Sequence, residues 1–441
     1  MTQQTTAQKD RIGLIGAIAI GVGGMVGGGI FAVLGEAVSI AHGATPMAFL
    51  IAGVVALITA VAYARLSVHF PNRGGTVYFI DQAFGNNLAS GSVNVMLWLS
   101  YLVTIALYAT AFASYAGTFY DSAGGALREH FLISLAILLP ALINLVSATF
   151  VSKSETLIVV FKVVLLAFII WYSLPYVDTR KMAVSQWGSA FSIVAAGMII
   201  FVAYEGFELI ANAAEDIVNP KRNLPLALLL SVILVIGLYV VIALITVSTV
   251  SEAELASAKD YALAVAAQPA LGQTGFVVVA VAALLATLSA INATIYGNAR
   301  LGYTLAKDGQ LPAQFNRPIW NKPVMGVLLT AGISLVIANA LPLEQIAIIG
   351  SASFLLIFTL VNASAFRLRK TLGGPVLIYG IGTLGCAAAL LILLTHTYQQ
   401  DPSAVAIFAG FLLISVMFEL IFGSQVRGHF LGRKYPSEGE D

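Results

Sequence analysis

The chain has 441 residues, of which 59% are hydrophobic and only 10% are charged, and its formal net charge is +1. Because a soluble domain carries about 25% charged residues, this composition excludes an ordinary soluble protein. The single cysteine and the five scattered histidines exclude a disulfide framework and a thiolate or histidine metal cluster. No basic run interleaved with aromatic residues indicates nucleic acid binding, and no cofactor is expected.

Apolar runs of about 20 residues recur along the chain, and each is long enough to cross the ~30 Å hydrocarbon core of a bilayer. We therefore predict an all-α polytopic protein embedded in a lipid bilayer. The predicted spans number about twelve and cover residues 12–35, 44–69, 88–120, 129–150, 153–175, 186–213, 225–250, 273–305, 321–340, 342–366, 375–396 and 402–424.

The basic residues are distributed unequally between the two sides of the predicted membrane. On the side of the N-terminus lie 17 Lys and Arg residues, against 4 on the opposite side, and together with Lys162 inside a span they make the 22 of the chain. Segments on the cytoplasmic side carry an excess of Lys and Arg. The distribution therefore predicts that both termini are cytoplasmic.

The first span contains GVGGMVGGGIF at residues 21–31, with six glycines among eleven residues. Each glycine costs an exposed helix about 1 kcal/mol relative to alanine, so the segment needs an explanation. Small residues four apart, such as Gly23 and Gly27, are typical of helix packing in membranes. Alternatively, the helix unwinds at Gly27–Gly29 and its free amides bind a ligand, because unsatisfied backbone is tolerated at this depth only around a cavity or inside protein.

The sixth span is interrupted in a corresponding place. Its sequence FVAYEGFE at 201–208 sets two carboxylates and a glycine inside an apolar run, about 180 residues after the first break. Paired interruptions in the two halves of a membrane protein indicate a transporter built from inverted repeats. This match favours unwinding over plain packing, with discontinuous helices 1 and 6.

The two interruptions suit the two ends of one small molecule. A half-helix that begins near Gly27 presents unpaired N–H groups and the positive end of its dipole, which together suit a carboxylate. The interrupted sixth span offers carbonyl oxygens, which suit an ammonium group. A site with both ends fits an α-amino acid.

Lys162 lies in the apolar sequence LIVVFKVVLLAF, near the middle of the fifth span. A charged lysine at that depth costs about 2.5–3.5 kcal/mol on insertion scales. One interpretation is a side chain that snorkels to the interface near Lys153, but nine residues of helix measure ~14 Å, which is too far for one side chain. The other is a group that gains and loses a proton during a transport cycle.

Glu205 and Glu208 lie one helical turn apart in the sixth span. We expect Glu208 to support the interrupted segment through hydrogen bonds. Three roles remain open for Glu205. It can attract cationic substrates, join Lys162 in proton transfer, or face a water-filled vestibule without a role.

Four motifs carry a resemblance to a known family. They are GGGIF (27–31), FPNRGGTVYF (70–79), VAYEGFE with AAEDIVNPKRNLP (202–208 and 213–225), and NATIYGNARLGYTLAKDGQLP (292–312). In this order they resemble the amino acid–polyamine–organocation transporters with the LeuT-type fold, and most of all the proton-coupled members. The resemblance implies a 5+5 inverted repeat, with a first repeat at 12–180, a second at 186–370, two extra helices at 375–424 and a cytoplasmic tail at 425–441.

The family pattern also implies a substrate site. The carboxylate would bind the amides of Gly27–Gly29, although the family usually has Ser or Ala at the position of Gly28. The amino group would bind the carbonyls of Met25, Val202 and Glu205.

The resemblance further implies a coupling site. Sodium-coupled members hold an ion between helices 1, 5 and 8, and the Lys162 ammonium would take its place. The implied partners are the carbonyls of Gly23 and Val26 and the hydroxyl of Ser289. Phe201 and Tyr204 flank the sixth-span break, where they would cap the substrate as a thin gate or pack against lipid.

We expect a secondary transporter in the cell (inner) membrane that takes up a broad range of neutral amino acids by proton symport and alternating access. The alternative is an amino acid or polyamine exchanger, in which Lys162 fixes the charge of the site. A channel would need a continuous polar lining, and these spans are too apolar. Enzyme activity is not expected, because Glu205, Glu208 and Lys162 have no nucleophile partner at a recognisable spacing.

Overall fold

A computed structural model describes residues 11–72, 74–120, 125–146, 148–307, 310–311 and 324–427, and these residues are almost entirely helical. The main helices are α1 Leu14–Met25, α2 Gly29–Ala41, α3 Thr45–His69, α4 Thr76–Phe84, α5 Leu88–Gly117, α6 Gly125–Val146, α7 Ala148–Ser173, α8 Ala190–Ile199, α9 Leu209–Asn212, α10 Pro220–Thr249, α11 Glu252–Ser257, α12 Ala262–Ala266, α13 Gln268–Lys307, α14 Val324–Ala340, α15 Leu343–Arg367, α16 Arg369–Leu372, α17 Val376–Gln400 and α18 Pro402–Arg427.

Within the described ranges, ten segments are long and apolar enough to cross a membrane, or eleven when α1 and α2 count as one span. This confirms a polytopic helical membrane protein. The ninth predicted span corresponds to α14, whose 17 residues are shorter than the other spans. The total of twelve spans therefore stays a prediction.

The first span is broken where the glycines predicted it. Helix α1 ends at Met25 and α2 begins at Gly29, with a bend of 46° between them. Gly28 is the residue before the first turn of α2 and carries no side chain to cap it. The first amides of α2 are thus left without intrahelical acceptors.

The sixth span takes a different form from the unwound segment that we predicted. Helix α8 continues directly into a nine-residue 3-10 helix, Ile200–Glu208, which leads into α9. Backbone groups at membrane depth need partners, and the i to i+3 bonds of a 3-10 helix supply them within the segment. The α-helix of the sixth span is thus interrupted at the predicted place, but by a hydrogen-bonded 3-10 helix and not by an unwound segment.

The two interrupted segments cross each other at a pair of glycines. A Cβ on Gly24 would lie 2.7 Å from the carbonyl oxygen of Gly206, and a Cβ on Gly206 would overlap the backbone of Gly24. Only residues without side chains allow this approach. Helix packing thus explains Gly24, whereas the change of direction falls at Val26–Gly28.

Candidate functional site

A cavity with about 680 Å³ of empty space, part of it open to solvent, lies between α1, α5, α7, the 3-10 helix, α9 and α13. It brings together the three ionisable residues that the sequence singled out inside the spans. Its lining residues are Gly23, Gly24, Tyr101, Tyr108, Val159, Lys162, Glu205, Gly206, Glu208, Leu209, Asn212, Ser289, Ala290, Ala293, Thr294, Gly297, Asn298 and Leu301.

Lys162 faces this cavity and is 2% exposed, so its side chain does not snorkel to the surface. One turn earlier on α7, Val159 packs so closely on α1 that a Cβ on Gly23 would lie 2.6 Å from its Cγ2. Gly23 and Ser289 line the same cavity, whereas Val26 is buried and does not. The structure thus brings three of the four predicted coupling residues to one place.

Glu205 is 4% exposed, and its two carboxylate oxygens have different surroundings. Oε1 accepts a hydrogen bond of 2.9 Å from the Thr104 hydroxyl of α5. Oε2 has no hydrogen-bond partner within the part of the chain that the structure describes. This burial does not fit a bystander in a water-filled vestibule.

Glu208 is held on both oxygens by hydroxyl groups. Oε2 accepts hydrogen bonds from Tyr63 of α3 at 2.8 Å and from Thr76 of α4 at 2.7 Å, while Oε1 accepts one from Tyr101 of α5 at 2.7 Å. The side chain therefore joins the end of the 3-10 helix to three other helices.

The glycine amides predicted to bind a carboxylate are buried outside the lining of the cavity. Among the described residues, none accepts a backbone hydrogen bond from the amides of Gly27–Gly29. The ring of Tyr108 lies against Gly28 so closely that a Cβ there would overlap it. Tyr108 also lines the cavity, so this residue contacts both Gly28 and the open space.

The carbonyls predicted for an amino group are only partly available. The Met25 carbonyl accepts a hydrogen bond of 2.6 Å from the Tyr239 hydroxyl of α10. Val202 is buried, and its amide donates to Ser351 at 2.9 Å. Of the three predicted residues, only Glu205 lines the cavity.

The two gate candidates point into the protein interior. Phe201 is fully buried and meets the Phe358 ring edge to face, with ring centroids 5.8 Å apart. The Tyr204 hydroxyl donates to the Phe49 carbonyl at 2.9 Å. Neither residue faces lipid or lines the cavity, and a gating role for them stays a prediction.

Sequence reasoning missed one side of the cavity. Tyr101, Thr104 and Tyr108 of α5 contact Glu208, Glu205 and Gly28 in turn. Their spacing of three and four residues places them on one helix face. A polar stripe with this period in an apolar span was the signal that could have found them.

Comparisons with known proteins agree with this architecture. The family model described as amino acid permease matches residues 12–428. An uncharacterized protein of Methanocaldococcus jannaschii is 32% identical over 437 residues, which cover 97% of this chain and 99% of that protein. The inner membrane transport protein YbaT of Escherichia coli is 32% identical over 93% of this chain and 96% of its own length. The branched-chain amino acid permease BcaP of Bacillus subtilis is 22% identical over 82% of this chain and 81% of its own length.

Proposed function

The chain belongs to the amino acid permease family, and from this premise we propose that it takes up amino acids by proton symport. Membership confirms the resemblance noted in the sequence at the level of the superfamily. It also confirms that the chain is a multi-pass membrane transporter and not an enzyme. We propose the broad, neutral substrate range and the cell (inner) membrane location on the same basis.

The observation that carries proton coupling is the position of Lys162. The buried Lys162 side chain lies in the same cavity as Gly23 beside the helix break and as Ser289 of α13. Because a charge at membrane depth is costly, a lysine there marks a functional group by default. We propose that the charged form holds α7 against α1, and that loss of the proton loosens this contact.

The arrangement supports alternating access with the cavity on the inner side. Asn212 and Leu301 line its end near the segments predicted to be cytoplasmic, and the Tyr108 ring covers Gly28 at its other end. We propose that the substrate carboxylate reaches the amides of Gly27–Gly29 when Tyr108 moves. The 46° break in the first span and the 3-10 helix in the sixth support the proposed repeats at 12–180 and 186–370.

Uptake into proteoliposomes tests the coupling. An inward proton gradient should drive concentrative uptake of labelled amino acids by the wild type, with or without sodium, and Lys162→Ala should abolish it. Arg180→Ala is a matched control that also removes one basic side chain, because the Arg180 side chain is 90% exposed in the short 3-10 helix Thr179–Met182.

Three outcomes would contradict the proposal in different ways. Uptake that requires sodium would exclude a purely proton-driven cycle. Uptake that needs an internal amino acid and ignores the gradient would make the protein an exchanger. Equal loss of uptake in Arg180→Ala would show that the Lys162 effect is not specific.

A further inference from the structure

We propose that the free oxygen of Glu205 binds a cationic side chain of the substrate, so that lysine binds better than a neutral amino acid of the same length. The inference rests on the proposed function, because it concerns the same cavity. It extends the broad neutral range to cationic amino acids and assigns the residue that recognises them.

The first argument is the unequal bonding of one buried carboxylate. Thr104 donates to Oε1, whereas Oε2 has no partner in the described chain although Glu205 is 4% exposed. A buried acceptor without a donor is destabilising, and the penalty is larger when the acceptor is charged. A substrate group that donates to Oε2 removes this penalty, while an apolar group leaves it in place.

The second argument compares Glu205 with the other carboxylate of the cavity. Glu208 already accepts three hydrogen bonds from hydroxyl groups of three helices. Its oxygens are therefore engaged by the protein itself. A donor that enters the cavity finds an unoccupied carboxylate acceptor at Glu205 Oε2.

The third argument is the charge of the lining. With Lys162 protonated and both glutamates ionised, the three side chains carry one net negative charge. Charges in a low-dielectric cavity interact strongly because water screens them poorly. A cationic substrate side chain adds one positive charge and neutralises the net charge of these three side chains, whereas a neutral side chain leaves it negative.

The position of Glu205 also suits a side chain of lysine length. Thr104, which holds the carboxylate, lies four residues before Tyr108, or about 6 Å along α5. Tyr108 in turn covers Gly28, beside the amides proposed for the substrate carboxylate. A substrate whose carboxylate binds those amides would extend its four-carbon side chain along this stretch of α5, toward Glu205.

Lysine and norleucine form a matched ligand pair, because norleucine has the same four-carbon chain without the ammonium group. Competition of each against labelled alanine uptake gives an affinity ratio for the purified protein in proteoliposomes. We expect the wild type to prefer lysine by at least about tenfold, since a site built to bind a polar group rejects the analogue that lacks it. In Glu205→Gln the preference should fall below about threefold, and because it is a ratio measured on the variant itself, it does not depend on how much alanine uptake the variant retains.

Two further variants make the result specific. Glu252→Gln is the control, because it removes a carboxylate whose side chain is 59% exposed outside the cavity. Glu205→Asp keeps the charge on a shorter side chain and should give an intermediate lysine preference. It also serves if Glu205→Gln does not fold, as judged by gel filtration in detergent.

The results that would overturn the inference differ from those that would overturn the proposed function. A wild type that takes up alanine but binds lysine no better than norleucine refutes the inference alone. So does a Glu205→Gln variant that keeps its lysine preference, because the carboxylate would then not be what recognises the ammonium group. A wild type that takes up no amino acid under any gradient refutes the proposed function, and the inference with it.

Discussion

The first and the sixth spans are interrupted at corresponding places, but the chain interrupts them by different means. Between α1 and α2 it changes direction by 46° over Val26–Gly28 and leaves amide donors without helical acceptors. In the sixth span α8 continues into the 3-10 helix Ile200–Glu208, which carries two carboxylates. The first-span interruption therefore offers amide donors, and the sixth-span interruption offers carboxylate acceptors.

Although they differ in form, the two interruptions depend on each other through direct contact. Gly24 and Gly206 touch backbone to backbone, and a Cβ on Gly29 would lie 2.7 Å from the Cα of Ala203. Neither segment can shift without the other, because close-packed interiors transmit small displacements. Substitutions at the contact should consequently affect both interruptions at once.

The largest effect is expected for Gly206→Ala. The new methyl group would overlap the backbone of Gly24, which cannot rotate away as a side chain can. Overpacking typically costs about 1–3 kcal/mol and occasionally more, and we expect the upper end of this range together with loss of uptake. Thermal unfolding of the detergent-solubilised protein measures the loss of stability.

Gly237→Ala is the control for this substitution. Gly237 lies within α10, and a Cβ there would meet nothing within 4 Å. We expect a slight stabilisation of up to about 1 kcal/mol, because alanine is the better helix former. Equal destabilisation by both substitutions would mean that the contact between the interruptions is not what matters.

Glu208→Ala should have the second largest effect, and its comparison with Glu205→Ala distinguishes the roles of the two carboxylates in the 3-10 helix. It leaves the Tyr101 hydroxyl without its acceptor and the hydroxyls of Tyr63 and Thr76 with only their bond to each other. In Glu205→Ala, by contrast, Thr104 can still donate to the Ser100 carbonyl. An unsatisfied buried polar group costs about 1–3 kcal/mol. We therefore expect Glu208→Ala to lower the unfolding temperature clearly more than Glu205→Ala, and an equal or reversed order would contradict the assigned supporting role of Glu208.

The sequence predicted the parts of this site that are marked by residues unusual for an apolar membrane span. A lysine in an apolar run and glycines in a span can be recognised without knowing what they contact. Both Lys162 and the first break lie where they were expected. The form of the sixth span depends on its contact with α1, which no local pattern reveals. Tyr108 was missed because tyrosine is common in apolar spans, and in the sequence only its helical spacing from Tyr101 and Thr104 distinguishes it.

Gly28→Ala should have a smaller effect than the two substitutions above. Its methyl group would overlap the Tyr108 ring, which can move more easily than a backbone, so we expect a loss of about 1–2 kcal/mol. Tyr108→Leu alone should make the glycine amides more accessible. The double variant should recover part of the stability lost in Gly28→Ala, as a double-mutant cycle of unfolding temperatures would measure. Additive losses would show that the ring and Gly28 are not coupled.

The smallest effect is expected for Tyr239→Phe, which tests whether the Met25 carbonyl also accepts a hydrogen bond from the substrate amino group. It removes the hydrogen bond to that carbonyl at a cost of about 0.5–1.5 kcal/mol. Tyr204→Phe removes a similar bond, to the Phe49 carbonyl of α3 and not to a residue beside the first-span break. If Met25 also accepts the substrate amino group, only Tyr239→Phe should lower the KM for amino acid uptake, because its carbonyl is freed for the substrate. Equal KM values in both variants would show that the Met25 carbonyl serves only the fold. The carboxylates of the 3-10 helix would then be the acceptors that the substrate uses.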